Sequence, residues 1–253
     1  MAKIKKTDLM FNNVSEFERY LAKNSSKPSF NNVLTREEFR FFQTEDWKGF
    51  EDYMRDGNVD VTADLRKNTK YYIDLFEQQV TESSAYQFDV VGEFFDIGAV
   101  MVGEPEAWIK EIKIEDDKFI TLDIQGIYKD GTDLEMIKKN GSKVFAIATV
   151  LEEQGFLVKI NMHYSSMDSG GRNTEFNSTI RVKDYDGVLD YKKFGILLGV
   201  PFFRRGILRA MEIEYGVGVN SGFGRPSYSV DGEIRLDSSS DLDNLEAKLM
   251  KDK

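Results

Sequence analysis

Hydrophobic positions recur with two different periods, and the change of period divides the chain. Before residue 86 the apolar side chains repeat every three or four positions, the spacing of helices with one buried face. Phe17, Tyr20 and Leu21 share such a face; Ser15 is read as its N-cap and Glu18, three residues on, completes a capping box. Residues 23–32 hold Asn, Ser and Pro and read as a loop. A second helix is predicted to start at Thr35, with Glu38 three positions on. Trp47, Phe50, Tyr53 and Met54 predict a third over residues 45–56, stopped by Gly57. Tyr72, Leu75 and Phe76 turn inward in a fourth over residues 65–79. Residues 1–85 are thus read as an amino-terminal helical region.

From residue 86 alternation sets in. Residues 86–91 read as a strand, and residues 93–102 fit either type. Gly103-Glu104-Pro105-Glu106-Ala107-Trp108 reads as a turn into a short helix, with Pro105 at its first position and the two carboxylates at its positive end. The clearest pattern follows. Residues 118–124 form a β-rich run ending near Asp123. Leu134, Ile137, Gly141, Val144, Phe145, Ala148 and Leu151 then lie on one helical stripe, closed by Gly155 as C-cap. Residues 156–162 form a second strand. Strand, helix and strand in so short a span predict a βαβ unit with parallel strands. Gly141 is read as a point of close approach between helix and sheet. Residues 176–183 read as a further strand, 184–187 as a turn, and 191–214 as largely helical despite Pro201. A late strand near residues 228–234 and a short helix carrying Leu242, Leu245 and Leu249 complete residues 86–253, the second region.

Composition then narrows the chemistry. Among 253 residues there is no Cys and one His, so thiolate sites, disulfides and any two-histidine zinc site are excluded. Lys and Arg number 34 against 44 Asp and Glu, a formal charge of −10 that keeps the chain soluble and repels phosphate at long range. The longest apolar stretch, residues 194–203, is too short to span a bilayer and contains a proline, so no membrane partner is expected. Residues 1–6 are basic but lack the apolar run of a signal peptide, so the cytoplasm is the expected location.

Several positions are candidates for function. Glu104, Glu106 and Trp108 can form a recognition loop, or simply a well-made helix start with Trp108 as a buried anchor. Lys192, Lys193, Arg204, Arg205 and Arg209 make the best basic patch, suited to phosphate or an acidic partner; a solvated helix face paired with Glu212 and Glu214 is the plainer account. The Gly-rich residues 216–224 lack the Gly-Lys-Ser/Thr end of a P-loop, and Ser221 breaks G-x-G-x-x-G. His163, at the predicted end of the second βαβ strand, has no nucleophile motif to serve and reads as structural. Asp123 lies where open α/β sheets bind ligands, near a strand's carboxyl end.

The order of Asp123, long helix and second strand resembles the opening βαβ of a von Willebrand A-like domain, over about residues 117–215. That family's metal loop reads Asp-x-Ser-x-Ser; here the matching positions are Asp123, Gln125 and Ile127, so the resemblance implies a degenerate site holding no metal. Nearly the whole chain also resembles a group of bacteriophage-encoded proteins of unknown function. The likeness is carried by Gly103-Glu104-Pro105-Glu106, by Arg204-Arg205, and by Gly222-Phe223-Gly224-Arg225-Pro226, and it adds Arg225 to the candidate binding residues. It implies a viral origin and the cytoplasm of a bacterial host, with virion association open, and no activity to carry over.

The expectation is therefore an α/β fold: a degenerate von Willebrand A-like (Rossmann-like), mostly parallel sheet flanked by helices, with an amino-terminal helical region. The function expected is a non-enzymatic phage accessory protein that binds a protein partner and uses no cofactor. The alternatives are a nucleic-acid-associated protein working through its basic helix, and a carboxylate-metal hydrolase built on Asp123 and Asp184 or Asp186.

Overall fold

The computed structural model describes residues 5–23, 35, 36, 39, 42–83, 94–95, 108–109, 119–128, 133–153, 155–167, 174–215, 225–226, 234–236 and 242. It is a mixed α/β structure with a mostly parallel sheet and packed helices. The predicted βαβ unit is present: β4 (Phe119–Gln125), α4 (Leu134–Glu153) and β5 (Leu157–Met167), with β4 and β5 parallel and Asp123 opposite Asn161. Gly155 ends α4 at φ +84°, a left-handed conformation that glycine adopts without steric cost, and the Phe156 amide closes the turn on the Leu151 carbonyl. β6 (Thr174–Lys183) runs antiparallel to β5. β8 (Ile234–Arg235) extends β4 in parallel, and β7 (Arg225–Pro226) pairs with the last residues of β5.

The amino-terminal region adds a strand that periodicity did not predict. β1 (Lys5–Phe11) pairs in parallel with β6, Thr7 opposite Phe176, so the five-strand order is β1-β6-β5-β4-β8. The helices α1 (Val14–Ala22), α2 (Trp47–Asp56) and α3 (Val59–Ser83) follow. The N-cap of α1 is Asn13, not Ser15: its side chain accepts from the Glu16 amide, and Glu16 reaches back to the Asn12 amide. Asp46 caps α2 through the Gly49 amide, and Gly57 stops it at φ +70°.

Sheet pairing sorts the strand residues into two faces. Leu122, Ile124, Val158, Ile160, Met162, Tyr164, Phe176 and Ile180 are buried on one face, beneath the helices. Residues 191–215 cover much of it as α5 (Tyr191–Leu198), a π-helical turn over Phe202–Ile207, and α6 (Leu208–Tyr215). Phe194 of α5 stacks on Phe145 of α4 with ring centroids 4.2 Å apart. The Tyr164 hydroxyl donates to the Leu197 carbonyl. Gly141 permits a close approach as expected, but toward another helix: a Cβ there would lie 2.8 Å from Leu198 and 3.1 Å from Phe194. Among the described residues no helix is long and apolar enough to cross a membrane.

Candidate functional site

The second face of the sheet is polar. Asp123, Lys159, Asn161, His163, Asn177, Thr179 and Arg181 alternate with the buried residues and lie side by side across β4, β5 and β6. At its centre runs a line of hydrogen bonds. Asp123 Oδ1 lies 2.9 Å from both Asn161 Nδ2 and His163 Nε2, and His163 Nδ1 lies 2.9 Å from Thr179 Oγ1. A carboxylate only accepts, so Nε2 carries the imidazole proton and donates to Asp123. In the neutral ring Nδ1 then accepts from the Thr179 hydroxyl. Burial raises the Asp123 carboxyl, but the hydrogen bonds from Asn161 and His163 and the nearby Lys159 outweigh it, and the group sits below its ordinary value. Both ring nitrogens are engaged, which sets the tautomer and the ring plane.

His163 is inside β5, not at its end, because the strand continues to Met167. Gln125, at the end of β4, is buried but stands opposite His163 on the polar face, and Ile127 belongs to the hydrophobic core. Among the described residues no three acids or histidines gather as a metal site requires. Asp184 is engaged by Arg181 at 2.6 Å.

The basic patch read from sequence does not form one surface. Lys192 and Lys193 are exposed at the start of α5, whereas Arg204, Arg205 and Arg209 are buried. The π-helical turn and the start of α6 carry these three into the helical layer. There Arg204 lies over the Phe203 ring and Arg205 over the Phe42 ring, with Arg205 also donating to the Thr44 side chain and carbonyl. Arg209 pairs with Glu212 at 2.9 Å, the local acid expected, but inside the protein and not on a solvated face. Burial lowers the Arg205 guanidinium from its usual value, with Asp46 opposing. Charge alone marks these residues as surface groups; their burial follows from partners distant in sequence, Thr44 and Phe42 among them.

Trp108 lies in a strand and not at a helix start: β3 (Trp108–Ile109) pairs antiparallel with β2 (Phe94–Phe95). Glu104 and Glu106 lie outside the described residues, as do the predicted strand over residues 86–91 and the Gly-rich residues 216–224. Arg225 stands opposite Met167 in β7. Thr179 and Asn161 were not singled out from sequence. The signal available was alternation within β5 and β6, which places them on His163's face but cannot say that the strands are neighbours.

Fold and site together define an α/β sheet protein whose helices bury one face, and whose other face holds an ordered carboxylate–imidazole–hydroxyl line. The chain belongs to the family described as Domain of unknown function (DUF7192), whose model matches residues 2–250. No curated protein and no solved structure matches it.

Proposed function

We propose that the protein is a non-enzymatic interaction module of bacteriophage origin, built on a degenerate von Willebrand A-like domain, that binds a protein partner through the polar face of its sheet. The observation that carries this is the use of Asp123. The carboxylate at the position of the A-like metal loop bonds to Asn161 and His163 instead, while Ile127 is packed in the core. Such a network holds donors and acceptors in fixed places, which serves recognition, where pre-ordered polar groups cost less entropy to engage. The phage origin rests on the sequence resemblance.

The test has two parts. Calorimetric titration with Mg²⁺ and with Mn²⁺ is expected to show no tight binding; tight one-to-one binding abolished by Asp123→Ala would overturn the reading. Co-purification from infected cells is expected to recover a protein partner with the wild-type chain and to lose it on Asn177→Arg, a substitution on the same face that leaves the Asp123 line intact.

A further inference from the structure

A separate cleft lies on the helical side, between α3 and α4. The two helices run alongside each other: Lys138 reaches Asp64, and the Thr69 hydroxyl donates to the Ser142 carbonyl, so contacts climb both helices together. One wall carries Asn68, Tyr71 and Tyr72, at i, i+3 and i+4 on α3. The other carries Glu135, Lys139 and Lys143, at i, i+4 and i+8 on α4. The cleft is open to solvent and has a volume of about 520 Å³.

The lining combines two chemistries. Tyr72 is buried and forms an aromatic floor, whereas Tyr71 is 62% exposed. The two rings meet edge to face, with centroids 5.2 Å apart. Lys143 Nζ stands 5.6 Å from the centre of the Tyr72 ring, and Lys139 is exposed beside it. The one acid of the lining, Glu135, is bonded to Lys138 at 2.7 Å, an ammonium it shares with Asp64. An open aromatic face, a side-chain amide and two ammonium groups therefore converge in a chain whose net charge is −10.

We infer that this cleft binds a nucleoside phosphate, with the base against Tyr71 and the phosphate held by Lys139 and Lys143, as a free nucleotide or as one unit of a single strand. Aromatic stacking tolerates any base, and ammonium groups engage phosphate as point charges. The amide of Asn68 offers both a donor and an acceptor to a base edge. The site shares no residue with the polar sheet face and does not depend on the reading given to that face.

The test uses the full chain, with ATP and a fluorescein-labelled oligodeoxythymidine as probes at low and at physiological salt. Binding of at least one probe is expected, weakening as salt rises. Lys139→Glu and Tyr71→Ala are each expected to weaken it by about tenfold. Tyr71→Phe keeps the ring and is expected to retain binding, which separates stacking from a loss of folding. Lys192→Glu with Lys193→Glu, on exposed lysines elsewhere, is expected to leave it unchanged. Displacement of the oligonucleotide by ATP assigns the cleft to a single nucleotide; oligonucleotide binding that ATP does not displace assigns it to a strand. Absence of binding to both probes at low salt, or binding indifferent to Lys139 and Tyr71, overturns the inference.

Discussion

The side chains of Asp123 and Asn161 face each other across β4 and β5, joined by a hydrogen bond of 2.9 Å. This contact and the one from His163 favour the ionised carboxyl in the folded chain. Because the folded value lies below the ordinary 3.8, the stabilisation is present above the unfolded value and is lost as pH falls through the folded one. Asp123→Asn is expected to lower the urea midpoint at neutral pH, with the difference from wild type fading in strong acid. A carboxyl titration by NMR with a midpoint at or above 3.8 would contradict this.

Lys183 is buried beneath the sheet, 2.5 Å from Glu152 and donating to the Val158 and Asp184 carbonyls. Glu152 is partly exposed, so it is loss of the carboxylate that leaves the buried ammonium uncompensated. Glu152→Leu is expected to destabilise the protein by about 3 kcal/mol, and Lys183→Met with Glu152→Leu by clearly less. Chemical denaturation of the two variants checks the order.

The first helix offers a local test. Asn13→Ala removes the side-chain acceptor of the Glu16 amide and is expected to cost about 1 kcal/mol. Ser15→Ala, at the position that sequence pattern favoured, is expected to change stability by less than about 0.5 kcal/mol. Equal losses would return the cap to Ser15.

Gly141→Ala sets helix propensity against packing. The substitution gains about 1 kcal/mol of intrinsic helix preference. Its Cβ, however, would lie 2.8 Å from Leu198, which must then shift, and 3.1 Å from Phe194, a tight contact against a ring stacked on Phe145. Overpacking costs about 1–3 kcal/mol. A net loss in thermal midpoint is expected, and relief when Leu198→Ala is added to Gly141→Ala would show that the clash is its source.

The elements that periodicity revealed are those whose evidence is local. Residues 45–56 carry their cap, face and stop within a dozen positions, and α2 follows the reading to within two residues. β4, α4 and β5 are marked by a change of period from two to nearly four and back, with Gly155 at the junction. β1 escaped because its register with β6 pairs Lys5 with Thr174, a relation no window of sequence contains. The site divides the same way. Asp123 and His163 drew notice as isolated residues near strand ends, but Asn161 and Thr179 gained meaning only when three strands were placed in order.

By itself the sequence determined the βαβ unit and the absence of thiolate and two-histidine chemistry, since each depends on residue identity and short-range spacing. Tertiary structure decided which polar groups are solvated. Simple alternation sets Lys183 beside Arg181 on the polar face, yet the register shift between Ile160 and Asn161 turns Lys183 under the sheet to Glu152. Arg204, Arg205 and Arg209 look like a surface patch, yet all three are buried, Arg205 against Phe42 and Thr44 from a distant segment and Arg209 paired with Glu212. A side chain's charge is written in the sequence; whether water or protein surrounds it depends on neighbours that only the folded chain brings near.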